Sequence, residues 1–600
     1  RNQLGQQGLW SMGISGDLPI ILLEYYTPAD IEKLEPYVRT HKALRLRGIA
    51  CDLVVVYREG GDYKRMHNNS VLEAVRASGC EYLLESRGGI HVVNLEVNPP
   101  EIYYLLMATA CHSATSGFLK RPSTEPYARM PLLPVPPALP APACPQGEVR
   151  VFGGNFCGSR FVIPRQGQNP PAPWCSLLAN PTFGTLVSDR ALGFTWAVNA
   201  RENKLTPWLN DPVADNRGEM AVIRLGSKLF DLCANARVTF GAGEALYETD
   251  LWELSCRLSV RVPPDAMAKI VTLELENKGD RQMEFETAYY IEPVLGVNAR
   301  TNRQISFKRQ EELILLRNPW APVSGVAFLT ADAKFDFISD RASFLTGRWS
   351  NTAPTTAPDP CAAVVIRRKL PPKRRERITF VLGWAASEQA ACSLEKTLHA
   401  RKTADRPELP VSQDEIIIKT PDPKLDAVFN HWLRRQFVLA RIMGRTGFYQ
   451  CSGAWGFRDQ LQDCCAVLLC DPDIAKRHIY RAAAHQFVEG DVMHWWHQLP
   501  LRNGGSRGVR TRCSDDLLWL PYTVCEYLEK TGDDSILSRE IYYLEGPELE
   551  FTEEDRYFFP PRSGVKEDLY HHCLRAIERA KRFGVHGLPL FGSGDWNDGM

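Results

Sequence analysis

Nine prolines fall between residues 122 and 145, and no other feature limits the chain so strongly. Each proline fixes φ and removes a backbone donor, so neither a helix nor an interior strand can run through such a stretch. Residues 121–147 therefore read as a linker between a short segment, 1–120, and everything that follows. Six hundred residues also exceed what one hydrophobic core can serve, and imply about three or four domains.

The first segment alternates helix and strand signals. Ala29–Arg47 reads as an amphipathic helix, Cys51–Tyr57 as a buried β-branched strand, Asn69–Ala77 as a helix and Gly89–Leu95 as a strand. Pro99–Cys111 reads as a helix opening on proline. The segment is a small α/β unit. From 148 to 390 the period changes to two. Val271, Leu273 and Leu275 alternate with Thr272 and Glu274, and Asn277-Lys278-Gly279-Asp280 marks a turn. Met283, Phe285, Thr287 and Tyr289 then share one face, which predicts a β-hairpin. Leu258, Val260 and Val262 form another strand, and Ile378–Leu382 one more after Pro371-Pro372. Many strands with no helix between them predict an antiparallel β-sandwich.

After a linker at 391–423, residues 424–600 read as helical. Leu425, Phe429, Trp432, Leu433 and Phe437 recur at helical spacing, and further helices are expected near 459–470, 473–487, 515–531 and 565–584. Glycine- and aromatic-rich loops separate them and no strand signal intervenes, so the pattern suggests an α/α toroid.

Lys+Arg and Asp+Glu both total 71, so charge offers no argument for nucleic acid or an anionic membrane as partner. No apolar run reaches the ~18 residues of a membrane span. The polar start Arg1-Asn2-Gln3 has no signal-peptide core and no initiator Met, which suggests that the chain begins inside a longer protein. Seventeen scattered cysteines without a CxxC pair fit free thiols in a reducing cytoplasm.

Four polar–aromatic groups could carry chemistry. In Gly456–Asp463, Asp459 and Asp463 stand i,i+4 on one helix face beside Arg458. Such a trio can grip sugar hydroxyls, or it can be an N-cap with a surface ion pair. Asp491–Gln498 holds His494-Trp495-Trp496-His497. The paired tryptophans suit a sugar platform, a helical His-x-x-His could bind metal, and plain packing is the third reading. No third metal ligand is evident, so no metal is expected. Arg507, Arg510 and Arg512 follow on a glycine-rich run that reads either as a phosphate loop or as a solvated basic loop. Ser514-Asp515-Asp516 looks like a helix start with Ser514 as N-cap. Last, Gly592–Met600 flanks Asp595, Trp596 and Asp598 with glycines. An acid beside an aromatic wall can protonate a glycosidic oxygen, though a turn or a calcium loop has similar composition.

Together the words GFRDQLQD (456–463), HWWH (494–497), RTRCSDDLLWLPY (510–522) and GDWNDGM (594–600) resemble the glycoside hydrolase family 94 phosphorylases, formerly glycosyltransferase family 36. ANPTFG (179–184) and GFTWAVNARENKLTPWLNDPV (193–213) resemble that family's N-terminal sandwich. Residues 9–23 and 41–57 resemble the stretch before the phosphorylase module in cyclic β-1,2-glucan synthases. The resemblance implies a sandwich, a linker and an (α/α)6 barrel truncated at the C-terminus. It implies inverting phosphorolysis of a β-glucan, with β-1,2 linkage taken from the first segment. Inorganic phosphate would be the co-substrate and no cofactor would be needed. Asp598 would be the general acid. Trp596, Arg458 and Asp463 would hold the donor glucose, with Asp459, Trp495 and Trp496 as further sugar contacts, and Arg445 would touch phosphate. The family's remaining phosphate ligands lie beyond its DWND word, so this polypeptide alone is expected to be inactive. A homodimer and a cytoplasmic location, within a larger membrane-associated synthase, complete the expectation. The competing readings are an inverting hydrolase on the same fold, which would need a second carboxylate as base, and an inactive carbohydrate-binding scaffold.

Overall fold

The computed structural model describes residues 2, 4–26, 30–59, 66–114, 136–139, 148–164, 172–209, 218–351, 357, 359–400, 416–499, 505–550 and 553–592. The chain divides into two compact units: residues 1–130 with 303–305 and 318–321, and the remainder. Of the expected linker only 136–139 and its border lie among the described residues, and the loop pieces 303–305 and 318–321 belong with the first unit rather than with the sandwich.

The first unit is built on four parallel strands in the order Ile90–Asn94, Asp52–Tyr57, Ile20–Tyr25, Ala110–Ala114. A parallel sheet must be covered on both faces, and the Asp52–Tyr57 strand is buried throughout. Its side chains alternate between two cores. Leu53 and Val55 meet Leu34, Val38, Val71 and Val75 of the helices Ile31–Leu46 and Met66–Ala77. Val54 and Val56 meet Ile102, Leu105 and Leu106 of the helix Pro100–Thr109. The last expected helix is shorter than its apolar pattern suggested: it stops at Thr109, and Ala110–Ala114 continues as the fourth strand.

In the second unit, residues 149–385 form antiparallel sheets of eleven, five and three strands. The expected hairpin at 271–289 is a correction. Ala268–Asn277 pairs with Leu254–Arg261 and Arg375–Ala385 in the large sheet. Met283–Ile291 pairs with Glu219–Leu225 and Pro360–Leu370 in the five-stranded sheet. The turn is thus a corner between sheets. Asn277, fully buried, makes it: its Oδ1 accepts from Gly279 N at 3.0 Å, and its Nδ2 donates to the carbonyls of Arg281, Leu370 and Pro371. The same side chain therefore holds the second corner, where Pro360–Leu370 passes to Arg375–Ala385.

The helical region contains a continuous helical run from Pro423 to Gly444 with two π-turns, then Phe457–Val467, Pro472–Ala483, Trp519–Thr531 and Leu569–Ala580. They share one core that includes Phe457, Leu461, Ile479, Leu520, Val524 and Leu569. The expectation that no strand intervenes fails. Trp455–Gly456, Met493–Gln498, Ser506–Thr511 and Asp555–Phe558 form a four-stranded antiparallel sheet, and Glu540–Leu544 pairs with Arg562–Asp568. No described helix is long and apolar enough to cross a membrane, and no disulfide joins the described cysteines.

Candidate active site

Gly456 stands at the N-cap of the Phe457–Val467 helix, where a Cβ would meet Asp459 Oδ2 at 2.3 Å. The helix sends Arg458 towards Asp515, whose two carboxylate oxygens it reaches at 2.9 and 3.0 Å. One turn on, Asp463 accepts from Arg441 Nε at 3.0 Å. Burial lifts the Asp463 carboxyl above its ordinary range, Arg441 opposes that shift and Asp459 adds to it. Asp459 itself is exposed. The expected i,i+4 pair therefore exists, with one acid in an ion pair and one facing water.

The HWWH word lies on a strand, not a helix. Residues three apart on a strand point to opposite faces, so His494 and His497 cannot share a metal. His494 Nδ1 donates to Asp516 at 2.6 Å, and His497 Nε2 donates to Ser452 O at 3.0 Å. Burial alone would lower the His494 imidazole, but the bond to Asp516 and its charge outweigh it and raise it. Among the described residues, His494, Cys513 and Asp516 are the one set of metal-type donors lying within 4.8 Å of each other.

The two tryptophans part company. Trp496 is fully buried and stacks on His485 at 3.8 Å and 14°, which corrects its expected role as a sugar contact. Gly508 opposite it is obligatory, since a Cβ would strike Trp496 Cβ at 2.7 Å and Trp495 O at 2.3 Å. Trp495 faces the other side, half-buried, with Tyr557 at 5.5 Å and His497 at 5.4 Å.

The basic run is also corrected. Arg510 is fully buried and forms two 2.7 Å bonds to Asp491, one of 3.0 Å to Glu489, and bonds to the carbonyls of Gly546 and Pro547. It is a strut, not a phosphate loop. Arg507 reaches Glu202 at 3.3 Å, and Arg512 holds the carbonyls of Glu553 and Leu549. The N-cap position of the turn Asp516–Leu518 is taken by Asp515 rather than Ser514.

Arg445 ends the long helical run in a left-handed conformation, φ 48° and ψ 46°. Its Nε donates to Gly453 O at 3.2 Å, and its Nη1 donates to Ile442 O at 3.2 Å and Met443 O at 3.0 Å. Burial, with Arg481 beside it, pulls its guanidinium down to about 9. Sequence reasoning missed what holds this loop. Asn199 Nδ2 donates to Gly453 O at 2.8 Å, Trp208 Nε1 to Gly447 O at 3.1 Å, and Cys451 Sγ to Ala200 O at 3.1 Å. The NARENKLTPW word of the sandwich is thus a clamp on residues 445–453. Its density of amide and indole donors was the available signal.

Asp595, Trp596 and Asp598 lie outside the described residues. Gly592, just before them, approaches Arg512 so closely that a Cβ would stand 1.5 Å from its carbonyl oxygen. Gly592 therefore lies beside Arg512 and Cys513, on a cavity of about 290 Å³ lined also by Asp491, Leu517, Arg579 and Phe591.

The second unit thus joins an antiparallel sandwich to a helical region in which the Phe457–Val467 helix opens on the Arg458–Asp515 pair. Residues 159–401 match the glycosyl hydrolase 94 supersandwich domain, and residues 412–600 match the glycosyl hydrolase 94 superfamily catalytic domain; the chain belongs to this family. It is 31% identical to the cyclic beta-(1,2)-glucan synthase NdvB of Rhizobium meliloti (strain 1021), over 99% of this chain and 23% of that protein. It is 24% identical to solabiose phosphorylase of Paenibacillus borealis, over 74% of this chain and 59% of that enzyme. It is 21% identical to N,N'-diacetylchitobiose phosphorylase of Vibrio proteolyticus, over 73% of this chain and 60% of that enzyme. The chain thus spans about a quarter of the synthase and about three fifths of the two phosphorylases.

Proposed function

We propose that the chain is part of an inverting glycoside phosphorylase acting on β-1,2-linked glucans, with residues 424–600 forming the first part of an (α/α)6 barrel. The supporting observation is the co-occurrence of both glycosyl hydrolase 94 domains, in order, with phosphorylases among the relatives. The β-1,2 assignment rests on likeness to NdvB through the first unit. Asp598 donates its proton to the glycosidic oxygen while a phosphate oxygen attacks C1 from the opposite face. The C1–O bond breaks, α-glucose 1-phosphate leaves, and the glucan is one unit shorter. Phosphate is already a nucleophile, so one carboxylate suffices and no cofactor is required. Arg458, Asp463 and Trp596 hold the donor glucose, Trp495 offers a ring face to sugar, and Arg445 contacts phosphate.

The test is phosphate-dependent release of glucose 1-phosphate from sophorose-type oligomers, cellobiose and laminaribiose by the complete protein. Preference for cellobiose removes the linkage assignment. Release of glucose without phosphate favours a hydrolase, and no release favours a binding scaffold. Asp598→Asn should lower phosphorolysis by about 10²–10⁴-fold, the usual contribution of a positioned acid. Asp595→Asn should be milder; the reverse order with intact folds shifts the acid by three residues.

A further inference from the structure

Two guanidinium groups pack on one indole. Arg445 Cζ and Arg481 Cζ each stand 4.1 Å from the Trp455 ring centre. His478 stacks on the same ring at 5.1 Å, with its Nδ1 3.3 Å from Arg481 Nη1. Trp455 is buried, Arg445 keeps 8% of its surface, and Arg481 is partly buried.

Neither arginine has a carboxylate partner among the described residues. Arg481 presses on Arg445 and Arg477 on Arg481, and the Cys464 thiol beside Arg481 is held neutral by burial. The nearby acids are committed elsewhere: Asp463 to Arg441, Asp515 to Arg458, and Asp491 and Glu489 to Arg510. His478 and His485 are held neutral by burial and by these arginines, so they supply no balancing charge. Two uncompensated cations in a protein interior are unfavourable unless an anion joins them. Three hydrogen bonds tie Nε and Nη1 of Arg445 to backbone carbonyls, and Nη2 has no hydrogen-bond partner among the described residues.

We propose that Arg481 is a positioning residue of an oxyanion site: it orients Trp455, on which Arg445 lies, and adds the second positive charge that draws a phosphate group to Arg445 Nη2. The phosphate arrives free or as the phosphate of a sugar 1-phosphate. This inference rests on the reading of Arg445 as a phosphate contact. Arg481 acts through the Trp455 ring and through its charge, so its loss weakens phosphate capture and leaves the protonation step alone.

The experiment measures binding of inorganic phosphate and of α-glucose 1-phosphate, separately, by calorimetry on the complete protein, together with KM and kcat. Arg481→Met should weaken both anions on the order of tenfold, equivalent to one unit on the logarithmic affinity scale. The KM for phosphate should rise to match, kcat should change less than about threefold, and glucose binding should not move. Arg481→Lys keeps the charge without the planar stack and should fall between; it carries the test if Arg481→Met does not fold. Weakening of α-glucose 1-phosphate alone would mean that the sugar ester, not free phosphate, is the occupant. Unchanged affinity for both anions in the folded variant overturns the proposal, even if Arg445→Met abolishes turnover. Arg481-dependent phosphate binding in a protein that releases no glucose 1-phosphate overturns the proposed function and leaves the anion site standing.

Discussion

Lys269 and Arg445 are both buried cations, but their surroundings differ. Lys269, fully buried inside the sandwich, has Glu219 Oε2 at 2.6 Å, Leu192 O at 2.8 Å and Thr185 Oγ1 at 3.0 Å. Glu219 in turn accepts from Thr195, Thr206 and Tyr289. Charge and hydrogen bonds close within the network. Arg445 and Arg481 have carbonyls, a histidine and an indole, and no anion among the described residues. Burial of charge is therefore common to scaffold and site; what distinguishes them is compensation, and the uncompensated cluster lies in the catalytic domain.

The contrast breaks first at Glu219. Glu219→Gln leaves the Lys269 ammonium buried without its partner and should lower stability by about 3–5 kcal/mol, read from urea midpoints at constant m-value. Replacing both members with apolar residues of similar volume should recover only part of that loss, because the hydroxyls of Thr195, Thr206 and Tyr289 would lose their acceptor. Arg481→Met breaks no ion pair among the described residues and leaves only His478 Nδ1 without its partner, so it should cost less, about 1–2 kcal/mol. A large loss there would make the arginine pair structural.

Comparable in size is the difference between neighbours on one strand. Trp496→Ala removes a ring from the core and should cost about 3–5 kcal/mol. Trp495→Ala should cost under ~1 kcal/mol and act instead on oligosaccharide affinity, where a stacking ring is worth about 0.5–1.5 kcal/mol. Equal destabilisation would assign both rings to packing.

The strand that separates these tryptophans marks where sequence reading stops. Periodicity reports how a segment buries its side chains, so the β-branched run at 52–57, the alternation around 271–289 and the helices from 424 onwards were all legible. It does not report which strand is the neighbour. A hairpin and a sandwich corner both show two alternating runs about a turn, and only Asn277's bonds to Leu370 and Pro371, some 90 residues on, decide between them. Arg510 looked solvated because its partners Asp491 and Glu489 sit about twenty residues upstream. Arg458 stands out by its place beside the i,i+4 acids as well as by resemblance, and Arg445 by resemblance alone. Nothing local announces that Arg445 lacks a carboxylate, because missing partners leave no mark in a sequence.

A smaller effect comes from acid. Burial holds His485 and His572 down to about 4 in the folded protein, against ~6.5 unfolded. The unfolded chain therefore binds more protons between those values. Stability from the neutral histidines is complete above pH ~6.5 and is lost as pH falls towards about 4, at most ~3 kcal/mol for each. Both histidines belong to the helical region, so its near-ultraviolet signal should fade before the sandwich loses β-structure. Simultaneous loss would show that the closed and open regions unfold as one.

The smallest change in stability is expected at Asp463, where the comparison meets the proposed chemistry. Its pair with Arg441 is 3.0 Å long, but Arg441 keeps 43% of its side chain exposed and can return to water if the acid is removed. Such a pair contributes at most ~1 kcal/mol, so Asp463→Asn should barely shift the urea midpoint. If Asp463 holds donor hydroxyls, the same variant should lower kcat/KM for glucan by about 10–100-fold, since a charge-assisted hydrogen bond to substrate is worth about 1.5–3 kcal/mol. Arg441→Met supplies the control. It removes the cation that opposes the burial-driven rise of the Asp463 carboxyl, so the pH at which activity falls on the acid side should move upwards while activity at high pH stays near wild type. Equal losses of kcat/KM in both variants at every pH would mean that Asp463 serves only to anchor Arg441, and Arg458 would remain as the donor-site contact from this helix.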